Sequence, residues 1–168
     1  LRRGLQVSTT WATDRRANLE SRRLVGTFLQ QNFPPTTTLA IHSAGVIPYY
    51  AELPTIDMWG LSNAHIARTE PTDMGTGLAG HEKSDPAYVF SLEPHIYLPE
   101  DKVFTFESWE LEPESGFPED FGTRYTSKSI PFPGARIRHL NLWTRRGLLR
   151  CLNSGAIYGV GDQRVRVQ

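Results

Sequence analysis

Two short apolar segments, separated by a helix-like stretch, narrow the choice of fold. The first, "LAIH" at residues 39–42, is apolar up to its histidine, as expected of a strand covered on both faces of a sheet. The second, "PTIDMWG" at 54–60, is predicted as a strand that ends at a glycine. Between them, "SAGVIPYYAEL" at 43–53 predicts a short helix, with Pro48 in its first turn. Because no hairpin signal separates the two segments, we expect parallel strands joined by a right-handed crossover, which indicates an α/β fold.

The N-terminal part predicts an amphipathic helix. Residues 11–33 place apolar side chains at helical spacing, and Pro34 and Pro35 end the pattern. The opposite side carries many arginines, among them Arg15, Arg16, Arg22 and Arg23. A solvated helix face explains them, and a position near an anionic surface such as lipid headgroups is the alternative.

The C-terminal half predicts further strands. "AYVFSLEPHIYL" at residues 87–98 and "KVFTFESWEL" at 102–111 alternate like strands, and so does "RIRHLNLWTRR" at 136–146. The stretch at 116–135 is rich in proline and glycine and predicts an ordered loop. We therefore expect an α/β fold with a mixed sheet: a parallel strand-helix-strand unit, an amphipathic N-terminal helix and antiparallel C-terminal strands.

Length and charge limit the possible functions. With 168 residues the chain is expected to form one soluble domain over residues 1–168. Lysine plus arginine and aspartate plus glutamate both total 18, so the basic excess of a nucleic-acid binder is absent. The sequence contains no run of 18 apolar residues, so no transmembrane span is expected within it.

Common catalytic motifs are missing. The sequence has no phosphate-binding glycine loop, no dinucleotide fingerprint, no nucleophile elbow and no H-E-x-x-H. "GHEKSD" at residues 80–85 combines acids and a histidine, but the spacing of His81, Glu82 and Asp85 matches no standard ligand pattern. We therefore expect neither a metal ion nor a cofactor.

A run of polar and aromatic residues marks a candidate binding site. Ligands of open α/β sheets bind beyond the carboxyl ends of the strands, where "HSAG" at 42–45 and "DMWGLSNAHIA" at 57–67 are expected. Carboxylate, amide and imidazole groups beside an aromatic plane are the groups that recognise sugars. The simpler alternative is structural: Asp57 caps the next helix, the glycines form turns, and the tyrosines are core. The candidate residues of this run are His42, Ser43, Tyr49, Asp57, Trp59, Asn63 and His65.

Three sequence blocks in this order resemble a known family. "AIHSAGVIPYYAELPTIDMWGLSNAHIAR", followed by "GHEKSDPAYVFSLEPHIYL", resembles the extracytoplasmic C-terminal domain of bacterial polytopic membrane glycosyltransferases. The similar subset is the arabinofuranosyltransferase-like and mannosyltransferase-like proteins that use polyprenyl-phosphate sugars. The resemblance spans residues 11–98, and Asn63 stands where the family pattern has an acid. The matching residues are Gly45, Ile47, Pro48, Tyr49 and Tyr50, then Asp57, Gly60, Leu61, Ile66 and Ala67, then Gly80, His81 and Lys83.

The resemblance implies an accessory role. The domain would be excised from a larger membrane protein, with residues 1–10 as the linker from the membrane part, and would lie on the periplasmic or extracytoplasmic face of the inner membrane. The catalytic carboxylate would lie in that membrane part, so the domain alone would have no transferase activity. It would bind the glycan acceptor or close over the polyprenyl-phosphate sugar donor. The substrate-binding residues implied are Ser43, Tyr49, Tyr50, Asp57, Asn63, His65, His81 and Lys83.

Two other functions remain open from the residues themselves. A free-standing hydrolase would use Asp57 or Glu82 as acid/base, with His42, His65 or His81 as its partner. A structural or interaction domain without a ligand is the third possibility.

Overall fold

The computed structural model describes most of the chain. The described residues are 2–71, 74–76, 80–99, 104–105, 111–113, 116–132, 139–148, 157–160 and 163–166. None of the helices in these ranges combines the length and the apolarity that a bilayer crossing requires.

Helices and strands alternate through the first hundred residues, and strands dominate afterwards. The helices are α1 (Arg2–Asn32), α2 (Val46–Ala51), α3 (Ala64–Ala67), α4 (Pro86–Ser91) and α5 (Phe121–Arg124). The strands are β1 (Leu39–Ile41), β2 (Thr55–Asp57), β3 (Ile96–Leu98), β4 (Phe104–Thr105), β5 (Tyr125–Pro131), β6 (His139–Arg145), β7 (Ile157–Val160) and β8 (Gln163–Arg166).

The main sheet is mixed. Strands β2, β1 and β3 are parallel neighbours in that order, and β3 pairs antiparallel with β6. Strand β6 also pairs antiparallel with β4 and with β5, while β7 and β8 form a separate hairpin. The predicted α/β class, with a parallel strand-helix-strand unit and antiparallel C-terminal strands, is therefore confirmed.

Side chains from the two faces of the sheet form two hydrophobic clusters. One face packs against α1 and α2 and includes Phe28, Leu39 and Ile47. The other face packs against α3, α4 and α5 and includes Phe90 and Tyr97. Because alternate strand residues point to opposite faces, both faces of β1 and β3 are buried, which explains their continuous hydrophobicity.

The predicted N-terminal helix is confirmed and is longer than expected. Helix α1 begins at Arg2, so residues 2–10, the predicted linker, are helical and continuous with the rest of α1. It ends before Pro34 and Pro35, as predicted. The Phe33 amide donates a hydrogen bond to the Leu29 carbonyl at 3.0 Å and so closes the last turn. Helix α2 contains Pro48 in its first turn, as expected, and packs on α1 at Gly26.

Two predictions for the C-terminal half were wrong. In the strand predicted at 87–98, only Ile96–Leu98 forms a strand, β3. Residues 86–91 form helix α4 because the Asp85 carboxylate accepts a hydrogen bond from the Tyr88 amide and Pro86 occupies the first turn. The predicted loop at 116–135 contains α5 and β5, since its polar segment pairs along β6. Of the strand predicted at 102–111, only β4 and Leu111 lie within the described residues.

Candidate functional site

The candidate site is built from two segments, and the first of them lies at the carboxyl ends of the parallel strands. Strand β1 ends at Ile41 and is followed by His42, while β2 ends at Asp57 and is followed by the turn at 58–62. A second segment, residues 80–85, comes just before α4. We call it the GHEKSD segment. Its side chains contact the turn after β2 and the helix α3 that follows it.

Asp57 holds the turn in place from inside the protein. Its side chain is 1% exposed, and both of its oxygens accept hydrogen bonds from the turn. One oxygen accepts from the Trp59 amide at 3.0 Å, and the other accepts from the Ser62 amide at 2.6 Å and the Ser62 hydroxyl at 3.1 Å. Asp57 is therefore buried and stabilises the turn. This is similar to the structural role considered above, in which Asp57 caps the next helix.

Gly60 and Asn63 complete the turn into α3. Gly60 has a positive φ of 78°, and a Cβ there would lie 2.7 Å from the backbone nitrogen of Ala67. The Asn63 side chain accepts hydrogen bonds from the amides of His65 and Ile66 and so caps α3. Asparagine and aspartate are similarly good caps, so either residue could cap α3 at this position.

Two histidine stacks fasten the GHEKSD segment and α4 to this region. The His81 ring lies on the Trp59 indole, with centroids 3.7 Å apart and planes at 17°. The His65 ring lies on Tyr88, with centroids 3.8 Å apart and planes at 20°. His65 Nε2 also meets the Asp85 carboxylate at 2.9 Å. The site is thus assembled from segments about twenty residues apart in sequence.

Further polar contacts hold the same segment. The Glu82 carboxylate accepts a hydrogen bond from the Gly75 amide at 2.7 Å, and the Lys83 ammonium donates to the Ala67 carbonyl at the end of α3. The pKa of Asp85 is held below its usual value by the Tyr88 amide first and by His65 second. Asp85 therefore stays ionised at neutral pH, both as a helix cap and as the partner of His65.

A cleft of about 370 Å³ opens between the turn and the GHEKSD segment. This volume lies within the range of small-molecule sites. The described residues of its walls are mostly apolar and include one carboxylate and one ammonium group. The lining residues are Trp59, Gly60, Leu61, Ala67, Met74, Gly80, Glu82 and Lys83.

Aromatic rings form a chain of contacts from Trp59 in the cleft wall toward the core. The His42 ring lies 5.4 Å from the Trp59 ring and 6.0 Å from the Tyr97 ring, measured between centroids. Tyr97 is fully buried in the face that packs on α4. Trp59 is therefore supported from the core through His42 and covered from outside by His81.

The structure brings only some of the predicted site residues together. Lys83 lines the cleft, His81 stacks on Trp59 in its wall, and His65 lies at the adjoining α3–α4 contact. Tyr49 and Tyr50 pack on each other in α2, on the opposite face of the sheet, and Tyr49 is 77% exposed. Ser43 is half-buried in the turn into α2, outside the cleft.

Sequence reasoning missed two apolar cleft residues. Leu61 belongs to a motif block but was not singled out as a contact, and Met74 carries no sequence signal. Both side chains are largely exposed, which a hydrophobic pattern does not reveal. Among the described residues, no group of three or more His, Cys, Asp or Glu side chains is placed to hold a metal ion.

One family model matches the chain. It is described as "Domain of unknown function (DUF8728)" and matches residues 10–139, which is most of the chain and includes the whole candidate site. No curated protein and no solved structure matches the chain.

Proposed function

The chain belongs to the DUF8728 family, and for this member we propose the role of an extracytoplasmic accessory domain of a polytopic membrane glycosyltransferase. Its cleft binds glycan, either the acceptor or the sugar of a polyprenyl-phosphate donor. The domain acts on the periplasmic or extracytoplasmic face of the membrane, together with a membrane part that supplies the catalytic carboxylate.

The observation that carries the proposal is the convergence of two motif blocks on one cleft. The block from Asp57 to Ala67 provides the turn and α3, and the block from Gly80 to Lys83 provides the opposite wall. These are the second and third blocks of the resemblance to the transferases. Blocks separated by about a dozen residues thus meet where a ligand has room to bind.

The chemistry of the cleft suits a sugar. Trp59, Leu61 and Met74 give the cleft an apolar surface against which the C–H groups of a sugar ring can pack, while His81 covers one face of the indole. The Glu82 carboxylate can accept hydrogen bonds from hydroxyl groups, and the Lys83 ammonium can donate to them. Both charged groups already have one protein contact, which fixes them at the wall before a ligand arrives.

The first motif block has a different role. Gly45 to Tyr50 form the entry to α2 and α2 itself, and Ile47 and Ala51 are buried against α1. This block therefore orients the crossover helix, and the exposed Tyr49 lies on the face opposite to α3 and α4. We therefore propose the cleft, and not the tyrosine pair, as the glycan site.

The geometry favours glycan binding over hydrolysis by Asp57. A general acid or base must reach the proton that it transfers, and both Asp57 oxygens are already engaged by backbone and hydroxyl donors. Glu82 lines the cleft, but its histidine neighbour His81 is stacked on Trp59. The described contacts form no acid/base pair around it.

Glycan binding is tested directly with the chain labelled with 5-fluorotryptophan. The protein has four tryptophans, and the resonance that disappears in Trp59→Phe identifies Trp59. Arabinan and mannan oligosaccharides should shift this resonance in a saturable way. Lys83→Met should weaken the response, whereas Tyr49→Ala, a matched exposed change on the opposite face, should leave it intact. A Trp59 resonance that no oligosaccharide moves would contradict glycan binding by this domain.

The membrane transferase part of the proposal has a separate test. The coding sequence around this chain should contain several apolar segments of about 20 residues each, as a polytopic membrane protein requires. In membranes containing the whole protein, sugar transfer should fall in the Trp59→Ala and Lys83→Met variants and not in Tyr49→Ala. A reading frame without such segments would remove the transferase assignment but leave glycan binding standing.

A further inference from the structure

We infer that the cleft selects an uncharged sugar residue with an apolar edge, such as a 6-deoxyhexose, and discriminates against anionic sugars. This inference rests on the proposed glycan binding and specifies which class of sugar residue the same cleft accepts.

The first reason is the charge of the cleft walls. Among the described lining residues there is one carboxylate, Glu82, and one ammonium group, Lys83, so the charges of these residues balance. The ammonium group donates one hydrogen bond to the Ala67 carbonyl and keeps its charge, so Glu82 is the group that offsets it in the cleft lining. A uronate or a phosphate in the cleft would be attracted by Lys83 and repelled by Glu82, so it would lose its hydration without a net electrostatic gain.

The neighbouring charges of the described residues do not change this balance in favour of an anion. Asp85, next along the GHEKSD segment, is ionised and paired with His65. Arg68 follows α3 and is exposed, and it is not among the lining residues. The anion-binding arrangement of several converging cations is therefore not found among the described residues of this cleft.

The second reason is the apolar rim. Leu61 and Met74 line the cleft and are 72% and 68% exposed. Single exposed apolar side chains are common, but here two of them flank one cleft beside an indole. Hydroxyl groups placed against them would lose water without gaining hydrogen bonds. A methyl group on the sugar would instead bury apolar surface on both sides.

The size of the expected preference follows from one hydroxyl group. The 6-deoxy sugar lacks only the C6 hydroxyl, and placing that hydroxyl against apolar side chains without a hydrogen bond weakens binding by a factor of roughly three or more at room temperature. The 6-deoxy sugar should therefore bind at least about threefold more tightly than its parent hexose, and the uronic acid more weakly than both.

The experiment uses methyl glycosides that differ only at C6. Each set contains the hexose, the 6-deoxyhexose and the hexuronic acid, in the galacto, gluco and manno series. Dissociation constants are measured from the fluorine resonance of Trp59. The expected order in the series that binds best is 6-deoxyhexose, then hexose, then uronate.

Two variants separate the two reasons. Glu82→Gln should reduce the discrimination against the uronate, and Leu61→Ser with Met74→Ser should abolish the preference for the 6-deoxy sugar. Leu92→Ser, an exposed leucine at the end of α4, is the matched control and should change neither.

The outcomes are distinguishable. A uronate that binds as tightly as the hexose, or a 6-deoxy sugar that binds no better, overturns this inference while the proposed glycan binding stands. If no glycoside and no oligosaccharide binds, both fail.

Discussion

The imidazole of His81 lies parallel to the indole of Trp59, with ring centroids 3.7 Å apart. These two residues belong to segments that share no secondary structure element, so their contact joins the turn after β2 to the GHEKSD segment. The stack shapes one wall of the cleft, because Trp59 lines it.

Replacing His81 with alanine should loosen the cleft. The loss of an aromatic pair should lower the free energy of unfolding by about 0.5–1.5 kcal/mol, and glycan affinity should fall because Trp59 is no longer held in position in the cleft wall. Urea unfolding and the fluorine titration measure the two effects. His81→Phe retains a ring and serves as the control; if it behaves like His81→Ala, stacking is not the property that matters.

Replacing Asp57 with asparagine should destabilise the turn after β2. In Asp57→Asn one acceptor oxygen becomes an amide donor that faces backbone N–H groups, so at least one buried hydrogen bond is lost. Such a loss costs about 1–3 kcal/mol of stability. The displaced Trp59 should also weaken glycan binding.

The control for Asp57 is Asp120→Asn. Asp120 is exposed and pairs with Arg124 at 3.1 Å, so its replacement should cost less than about 1 kcal/mol. Equal effects of the two variants in urea unfolding would show that the buried Asp57 bonds do not stabilise the turn.

The parallel core of the fold was predictable because its signals are local. Continuous hydrophobicity marked β1, and the absence of a turn signal before β2 indicated a crossover. Helix α4 was missed because its residues alternate like a strand, and the start signal of Asp85 with Pro86 outweighs that alternation. Strand β5 was missed because, among the described strands, it pairs only with β6, and such an edge position permits polar residues.

The candidate site was predictable only in part. The sequence indicated that Trp59, His65 and Lys83 belong to a site, but not that Tyr49 lies on the opposite face of the sheet. Which residues meet across space depends on packing between segments, and periodicity carries no information about that. The stack of His81 on Trp59 is such a contact.

Asn63 should act as a helix cap and tolerate aspartate. Its side-chain oxygen bonds the His65 amide at 3.0 Å, and an aspartate oxygen can do the same. Asn63→Asp should therefore stay within about 0.5 kcal/mol of the wild type, whereas Asn63→Ala should lose about 1 kcal/mol. Thermal unfolding followed by circular dichroism measures both. A destabilised aspartate variant would contradict the capping role.

Asp85 should make stability depend on pH at the acidic end. The pKa of Asp85 is lowered in the folded state, first by the Tyr88 amide and then by His65, so its contribution is present above the unfolded pKa. That contribution is lost as the pH falls below about 4, toward the lowered folded pKa. Relative to Asp85→Asn, the wild type should be more stable at pH 7, and the difference should shrink below pH 4. Urea unfolding at several pH values measures this, and a difference that does not change with pH would contradict it.

Gly26 should be irreplaceable because α1 and α2 touch there. A Cβ at this position would lie 2.6 Å from the Ile47 carbonyl oxygen and 2.7 Å from the Tyr50 Cβ. Alanine normally favours a helix over glycine by about 1 kcal/mol, but the overlap should reverse the sign and destabilise the protein by about 1–3 kcal/mol. Gly122→Ala in α5 has nothing within 4 Å of the new Cβ and should be neutral or stabilising. Urea unfolding of the two variants decides the matter, because a stable Gly26→Ala protein would mean that α2 does not pack this closely on α1.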